Sequence, residues 1–253
     1  MKLVEHYEGK AAIEKTEKQK YLGFYLSSKG DNMANISEVQ KKAVWVIKRI
    51  INRLDSLKLK QYYFECALIF LNVILRSSIL YASETYYNLK EKELRALERI
   101  EENYLRRVFK TSKGCPISQL YLEIGHIPAR FEIYKMRCMF LKTILNENSE
   151  SMIYKFIMVQ YRSPTRGDWV SSCLKDLAYL NISITLEEIQ LMQKNQFKKL
   201  LQESIKIKAF QYLVEKRGRK GVLKFNIQAL EWLNIYPPTM KNYQYQTKDI
   251  YSQ

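Results

Sequence analysis

Glycine and proline are scarce in this sequence, at 8 and 5 residues of 253. Sandwiches and barrels of short strands need such residues at every turn, so a strand-and-turn architecture is excluded and long helices are expected. Cysteine and histidine are equally thin. Cys66, Cys115, Cys138 and Cys173 include no closely spaced pair, and His6 and His126 stand near none. A zinc site needs ligand pairs two to four residues apart, so none is indicated. Cys66 and Cys138 lie in apolar helical runs and read as core thiols, reduced as in an intracellular protein.

Aspartate is the next shortage. Asp31, Asp55, Asp168, Asp176 and Asp249 include no adjacent pair, which excludes a paired-aspartate site for nucleotidyl transfer by two metal ions within this sequence. Glu101 and Glu102 are adjacent but sit mid-helix beside Arg99 and Arg106, where side-chain pairing explains them better than a metal. No glycine-rich phosphate loop is present. His126 follows a glycine at a helix break with no nucleophile pattern nearby, so packing or capping suits it better than catalysis. No metal or cofactor is expected in this chain.

Long hydrophobic runs are missing too. The greasiest stretch, CALIFLNVIL from Cys66 to Leu75, contains Asn72 and falls short of the ~20 apolar residues that span a bilayer. The opening MKLVEHYEGK has no apolar core of a secretory signal. The expectation is an intracellular protein, of nucleus or cytoplasm, neither secreted nor membrane-bound. RGD at Arg166 to Asp168 then reads as a helix start capped by Asp168 rather than an adhesion motif.

What the sequence has in abundance is positive charge. The formal net charge is +16, with 47% hydrophobic residues. The apolar share supports a sizeable core. The charge exceeds what solubility needs and points to a polyanion, with RNA, DNA or an RNA–DNA hybrid as the expected partner. It is unevenly spread: from Lys194 to Lys224, ten basic residues face two acids, Glu203 and Glu215, a local surplus of ten minus two, or +8.

The periodicity predicts a mainly α chain, a helical bundle preceded by a short β-hairpin. YLGFYLS alternates imperfectly, with Gly23 read as a close approach or bulge inside a strand and Gly30-Asp31 as a turn. From Asn35 the period becomes helical, with Asn35 or Ser37 as candidate caps. Ile36, Ala43, Val44, Ile47, Ile50, Ile51 and Leu54 form one stripe, and Lys41, Lys42, Lys48, Arg49 and Arg53 the other. A helix over about Lys60 to Tyr81, apolar nearly all round, is expected at the centre of the bundle.

The next helix, about Lys90 to Lys110, has an acidic start and a basic end. Arg106, Arg107 and Lys110 therefore have a structural reading in the helix dipole beside any contact with phosphate. A short helix follows over Ile117 to Ile124, closed by Gly125, and Pro128 opens another that runs to about Glu147. YKFIMVQY, DWVSSCLKDLAYL, TLEEIQLM and NQFKKLLQESIKIKAFQYLVEK read as four more.

In order along the chain, KYLGFYLSS, SSILYASETYY, LERIEENYLRRVF, CPISQLYLEIGHIPARFEIYKMR and KFIMVQYRSPTRGDWVSSCLKDL form a series. It resembles the end of the palm, the thumb and the region downstream in reverse transcriptases of non-LTR retrotransposons, from about Lys18 to at least Lys220. The resemblance implies a carboxy-proximal part of an RNA-directed DNA polymerase. Residues 1–32 would be an end-of-palm hairpin remnant, 33–112 a thumb-like bundle and 113–253 a downstream helical basic region.

The fingers and the palm, with its paired aspartates and magnesium, have no counterpart in this sequence. No cysteine-histidine knuckle or endonuclease appears before Gln253. The chain alone is therefore expected to be inactive as a polymerase. By resemblance Tyr21, Leu22 and Gly23 would lie on a primer-gripping hairpin, with Lys18 and Lys20 at phosphates. The thumb helix would track the duplex through Lys41, Lys42, Lys48, Arg49 and Arg53. Further contacts would come from Arg106, Arg107, Lys110, Lys198, Lys199, Lys216, Arg217, Arg219 and Lys220. The competing readings are a non-catalytic helical nucleic-acid-binding or scaffolding protein, and an inert retroelement remnant.

Overall fold

A computed structural model describes residues 18–21, 24–27, 32–56, 62–112, 114–165 and 167–217. The chain is mainly helical, and a short β-hairpin precedes the helices. Strands β1 (Lys18–Tyr21) and β2 (Phe24–Ser27) pair antiparallel, with Lys18 opposite Ser27 and Tyr21 opposite Phe24. The reversal thus comes between Tyr21 and Phe24, earlier than the Gly30-Asp31 turn signal. Leu22, Gly23, Gly30 and Asp31 lie outside the described residues.

Helix α1 (Met33–Ser56) buries Ile36, Val39, Ala43, Ile47, Ile50 and Leu54 on one face. Two expectations for it are corrected. Val44, assigned to the apolar stripe, is exposed. Neither Asn35 nor Ser37 caps the helix, which begins two residues before Asn35. Asn35 is buried instead: its Nδ2 donates to the Tyr86 hydroxyl at 2.7 Å, and its Oδ1 accepts from the Tyr25 backbone N–H at 3.2 Å. That last bond ties β2 to α1. An isolated two-stranded hairpin is marginal in water, so this docking is what sustains the pair.

The segment expected as one central apolar helix is three pieces. Helix α2 (Tyr63–Phe70) runs into a π-helical turn (Leu71–Leu75) and then α3 (Arg76–Ile79). Ala67, Leu71, Leu75 and Ile79 are fully buried, but Ile69 and Val73 face solvent, Val73 with 66% of its surface exposed. The segment therefore lies at the edge of the bundle, packing one face on α1.

The centre is α6 (Ala129–Leu145), which meets α4 (Glu91–Val108), α7 (Met152–Arg162), α8 (Trp169–Tyr179), α9 (Leu186–Leu191) and α10 (Lys194–Arg217). It buries Phe131, Ile133, Tyr134, Cys138, Leu141, Ile144 and Leu145. Around it one hydrophobic core runs from Ile36 to Leu213. No helix among the described residues is long and apolar enough to cross a membrane. All four cysteines are free thiols.

Local signals end the elements where the sequence places them. After α5 (Ile117–Glu123), Gly125 takes φ +64°. The Gly125 N–H donates to Leu122 O, and the His126 N–H reaches back to Tyr121 O, the paired bonds of a Schellman close. Asp168 caps α8, its carboxylate accepting from the Ser171 N–H at 2.7 Å and the Thr165 N–H at 2.8 Å. Burial opposes ionisation of Asp168, but these bonds hold its carboxyl below the ordinary range. Thr185 and Glu188 form a reciprocal capping box at the start of α9.

Candidate nucleic-acid interface

The disposition of the acids decides where the positive charge is felt. Glu93, Glu98, Glu101 and Asp176 are buried among the described residues, against buried Arg130, Arg137 and Lys142. Four acids against three bases nearly cancel, so the surplus of the chain belongs to its surface.

Glu101 is fully buried on α4. Its Oε1 accepts from Arg76 Nε at 2.6 Å, and its Oε2 from the Ala129 N–H at 2.9 Å and the Tyr121 hydroxyl at 3.2 Å. Pairing does explain this residue, but the partner is Arg76 rather than the neighbouring Arg99 or Arg106. Glu98 accepts from Arg130 Nε at 2.6 Å and from the Tyr212 hydroxyl. Arg130 reaches Glu91 as well and lies 4.4 Å from the centre of the Tyr212 ring. This cluster fastens α10 and α6 to α4.

Asp176 stands 2.8 Å from Arg137 between α8 and α6. Burial pushes its carboxyl up, to about 7, and the Arg137 guanidinium opposes that shift. His126 is buried against Tyr121, their rings stacked with centroids 6.0 Å apart. Burial and the nearby Arg76 hold its imidazole well below the usual range, the state of a packed neutral ring. Among the described residues no group of three or more histidine, cysteine, aspartate or glutamate side chains could hold a metal ion.

An open cavity of about 660 Å³ lies beside the π-helical turn, lined by Asn72, Arg76, Ser77, Tyr81, Glu84 and Glu132 among others. Two carboxylates line it and its arginine is already engaged by Glu101, so it is unsuited to phosphate.

The cationic candidates separate by what they touch. Lys41, Lys42, Lys48, Arg49 and Arg53 are all exposed on one face of α1, opposite its buried stripe. Lys41 Nζ lies 2.9 Å from Glu38 Oε1. The other four make no ion pair with a described residue. Asp55, the remaining acid of α1, is exposed near its end, and burial first and then Asp55 push the Tyr63 hydroxyl of α2 up.

On the hairpin, Lys18 and Lys20 are exposed. Lys18 Nζ lies 2.7 Å from Glu38 Oε1 and 4.6 Å from the centre of the Tyr25 ring. Glu38 thus bridges Lys18 and Lys41, joining hairpin to helix. Hydrogen bonds first from Lys18 and then from Lys41 draw its carboxyl down to about 2. Tyr21 stands on β1, and Leu22 and Gly23 lie outside the described residues.

Arg106 is engaged structurally, donating to the carbonyls of Ser112 and Cys115 at 2.7 and 2.9 Å beyond the end of α4. Arg107 and Lys110 are exposed there. Lys198 and Lys199 are exposed near the start of α10. Lys216, near its end, pairs with Glu102 at 3.1 Å and Glu98 at 3.6 Å. Arg217 closes α10, and Arg219 and Lys220 lie outside the described residues.

One residue on the α1 face escapes a reading by charge alone. Trp45 is 68% exposed amid Lys41, Lys42, Lys48 and Arg49. An aromatic three or four residues from four cations is a visible sequence signal, but Trp45 also fits an apolar run, AVWVI, and so hides in it.

No protein-family model, curated protein or solved structure matches this chain.

Proposed function

We propose that this chain binds the backbone of RNA, DNA or an RNA–DNA hybrid without sequence specificity. In this reading it does the work of the thumb and downstream region of a non-LTR retrotransposon reverse transcriptase. Polymerase chemistry would belong to a palm, with its aspartates and magnesium, supplied by a longer reading frame.

The observation that carries the reading is the solvent face of α1. Four cations over three helical turns, Lys42, Lys48, Arg49 and Arg53, make no ion pair with a described residue, while the acids of neighbouring α4 are turned inward or paired. A face meant for solubility mixes signs. A face on which cations predominate, with Glu38 held by Lys18 and Lys41, suits a phosphate backbone. The docking of the hairpin on the same helix, through Asn35 and Glu38, sets Lys18 beside that helix, with Lys20 exposed on the same strand. The ordered series of stretches that resembles the reverse transcriptases supports the same assignment.

The test is a fluorescence-anisotropy titration of a short labelled RNA–DNA hybrid across salt concentrations. Affinity should fall with log salt by a slope of about 0.9 per phosphate neutralised, on the order of four phosphates for α1 alone. Reversal of Lys42, Lys48, Arg49 and Arg53 to Glu should abolish binding, with the helical circular dichroism retained. A folded wild-type sample that fails to bind at low salt overturns the proposal.

A further inference from the structure

Trp45 sits at the middle of the α1 solvent face, with Lys41 and Lys42 one turn before it and Lys48 and Arg49 one turn after. Residues three and four apart on a helix are surface neighbours, with Cβ atoms ~5–6 Å apart. The indole is therefore ringed by four cations. It has no part in the core: the buried stripe of α1 runs from Ile36 to Leu54 on the opposite face. Val44 beside it is 61% exposed, so a two-residue apolar spot stands in a cationic field.

We infer that Trp45 is a base-stacking platform, and that this face prefers single-stranded nucleic acid with unpaired bases to a closed duplex. The inference rests on the nucleic-acid reading above and narrows it. In a duplex the faces of the bases are covered by their neighbours, and a protein meets only edges and phosphates. An indole gains a stacking partner only where a base is unpaired. Cations at both ends of the platform hold the phosphates of successive nucleotides while the base lies on the ring. A second copy of the chain is the wrong occupant, because it would bring the same cations against one another.

The experiment uses the full chain and three labelled probes: an oligothymidylate of about 12 nucleotides, an abasic phosphodiester of the same length, and a duplex of that length. The variants are Trp45→Leu and Trp45→Phe, each checked for unchanged circular dichroism. Wild type should bind the oligothymidylate on the order of tenfold or more tighter than the abasic strand. Trp45→Leu should remove that difference while leaving the abasic affinity and its salt slope unchanged, and Trp45→Phe should restore most of it.

If wild type binds oligothymidylate and abasic strand equally, or Trp45→Leu leaves the difference intact, the stacking role is overturned while backbone binding stands. If a folded wild-type sample binds none of the three probes at low salt, backbone binding falls and the stacking role with it.

Discussion

Replacing Glu101 by alanine should cost on the order of 4 kcal/mol of folding stability, a large part of what a domain possesses. The magnitude follows from what surrounds the carboxylate. Glu101 is 0% exposed, and the side chain of Arg76 is 11% exposed. Both charges have left water, so the attraction between them is little screened. Alanine leaves the Arg76 guanidinium buried without its carboxylate. It also strips the Ala129 N–H and the Tyr121 hydroxyl of their acceptor. An unpaired buried charge costs about 3–5 kcal/mol, and each orphaned buried donor adds to the loss.

Urea denaturation followed by circular dichroism measures the effect, as a fall in the midpoint at constant slope. The surface pair Glu150–Lys155 is the control. Its side chains are 77% and 57% exposed, and Glu150→Ala should cost less than about 1 kcal/mol. The double variant Arg76→Leu with Glu101→Leu is the sharper test. It removes both charges together and should be less destabilised than Glu101→Leu alone. A cost below about 1 kcal/mol for Glu101→Ala, or a double variant worse than the single, refutes the account of Glu101 as the buried counter-charge of Arg76.

Glu38 gives a pH prediction. Its folded carboxyl is drawn to about 2, below its ordinary value, so its stabilising contribution is present above about 4.5 and lost as pH falls toward 2. A side-chain carboxyl NMR titration should place its midpoint near 2, and Lys18→Ala should move it back toward the ordinary value. An unshifted midpoint in wild type would show that Glu38 does not bridge hairpin and helix. Lys110 has φ +51° one residue beyond the Phe109 cap of α4, the conformation that glycine adopts without strain. Lys110→Gly should therefore raise the denaturation midpoint, by up to ~1 kcal/mol of stability, and a fall in the midpoint would contradict that strain.

Helix ends were the legible part of this chain because their signals are local. Gly125, Pro128 and Asp168 each act within a few residues, and each stands where its element starts or stops. What could not be read depends on neighbours far along the chain. Asn35 looks like a cap by type, yet Tyr86, 51 residues on, makes it a buried tether. The partner of Glu101 is 25 residues away, past two arginines that stand closer in sequence. The π-helical turn leaves no spacing signature. Ala67, Leu71, Leu75 and Ile79 recur every fourth residue across it, but Phe197, Leu201, Ile205, Ala209 and Leu213 do the same in a regular α10.

The same distinction sorts the cations. Sequence alone does not separate Lys216 from Arg49, since each is a basic residue on a helix, and it sets Arg106 apart only by the helix dipole. Contacts separate them: Arg106 closes the end of α4, Lys216 answers Glu98 and Glu102, and Arg49 faces outward with no ion pair to a described residue. A Lys216→Ala substitution would therefore act first through stability. It would loosen α10 from α4 before it removed any phosphate contact, whereas Arg49→Ala leaves the fold untouched. Density of positive charge in the sequence, greatest from Lys194 to Lys224, is thus a poor guide to where a polyanion would lie. The less charged α1 offers the cleaner face because Glu38, one of its two acids, is already engaged by Lys18 and Lys41.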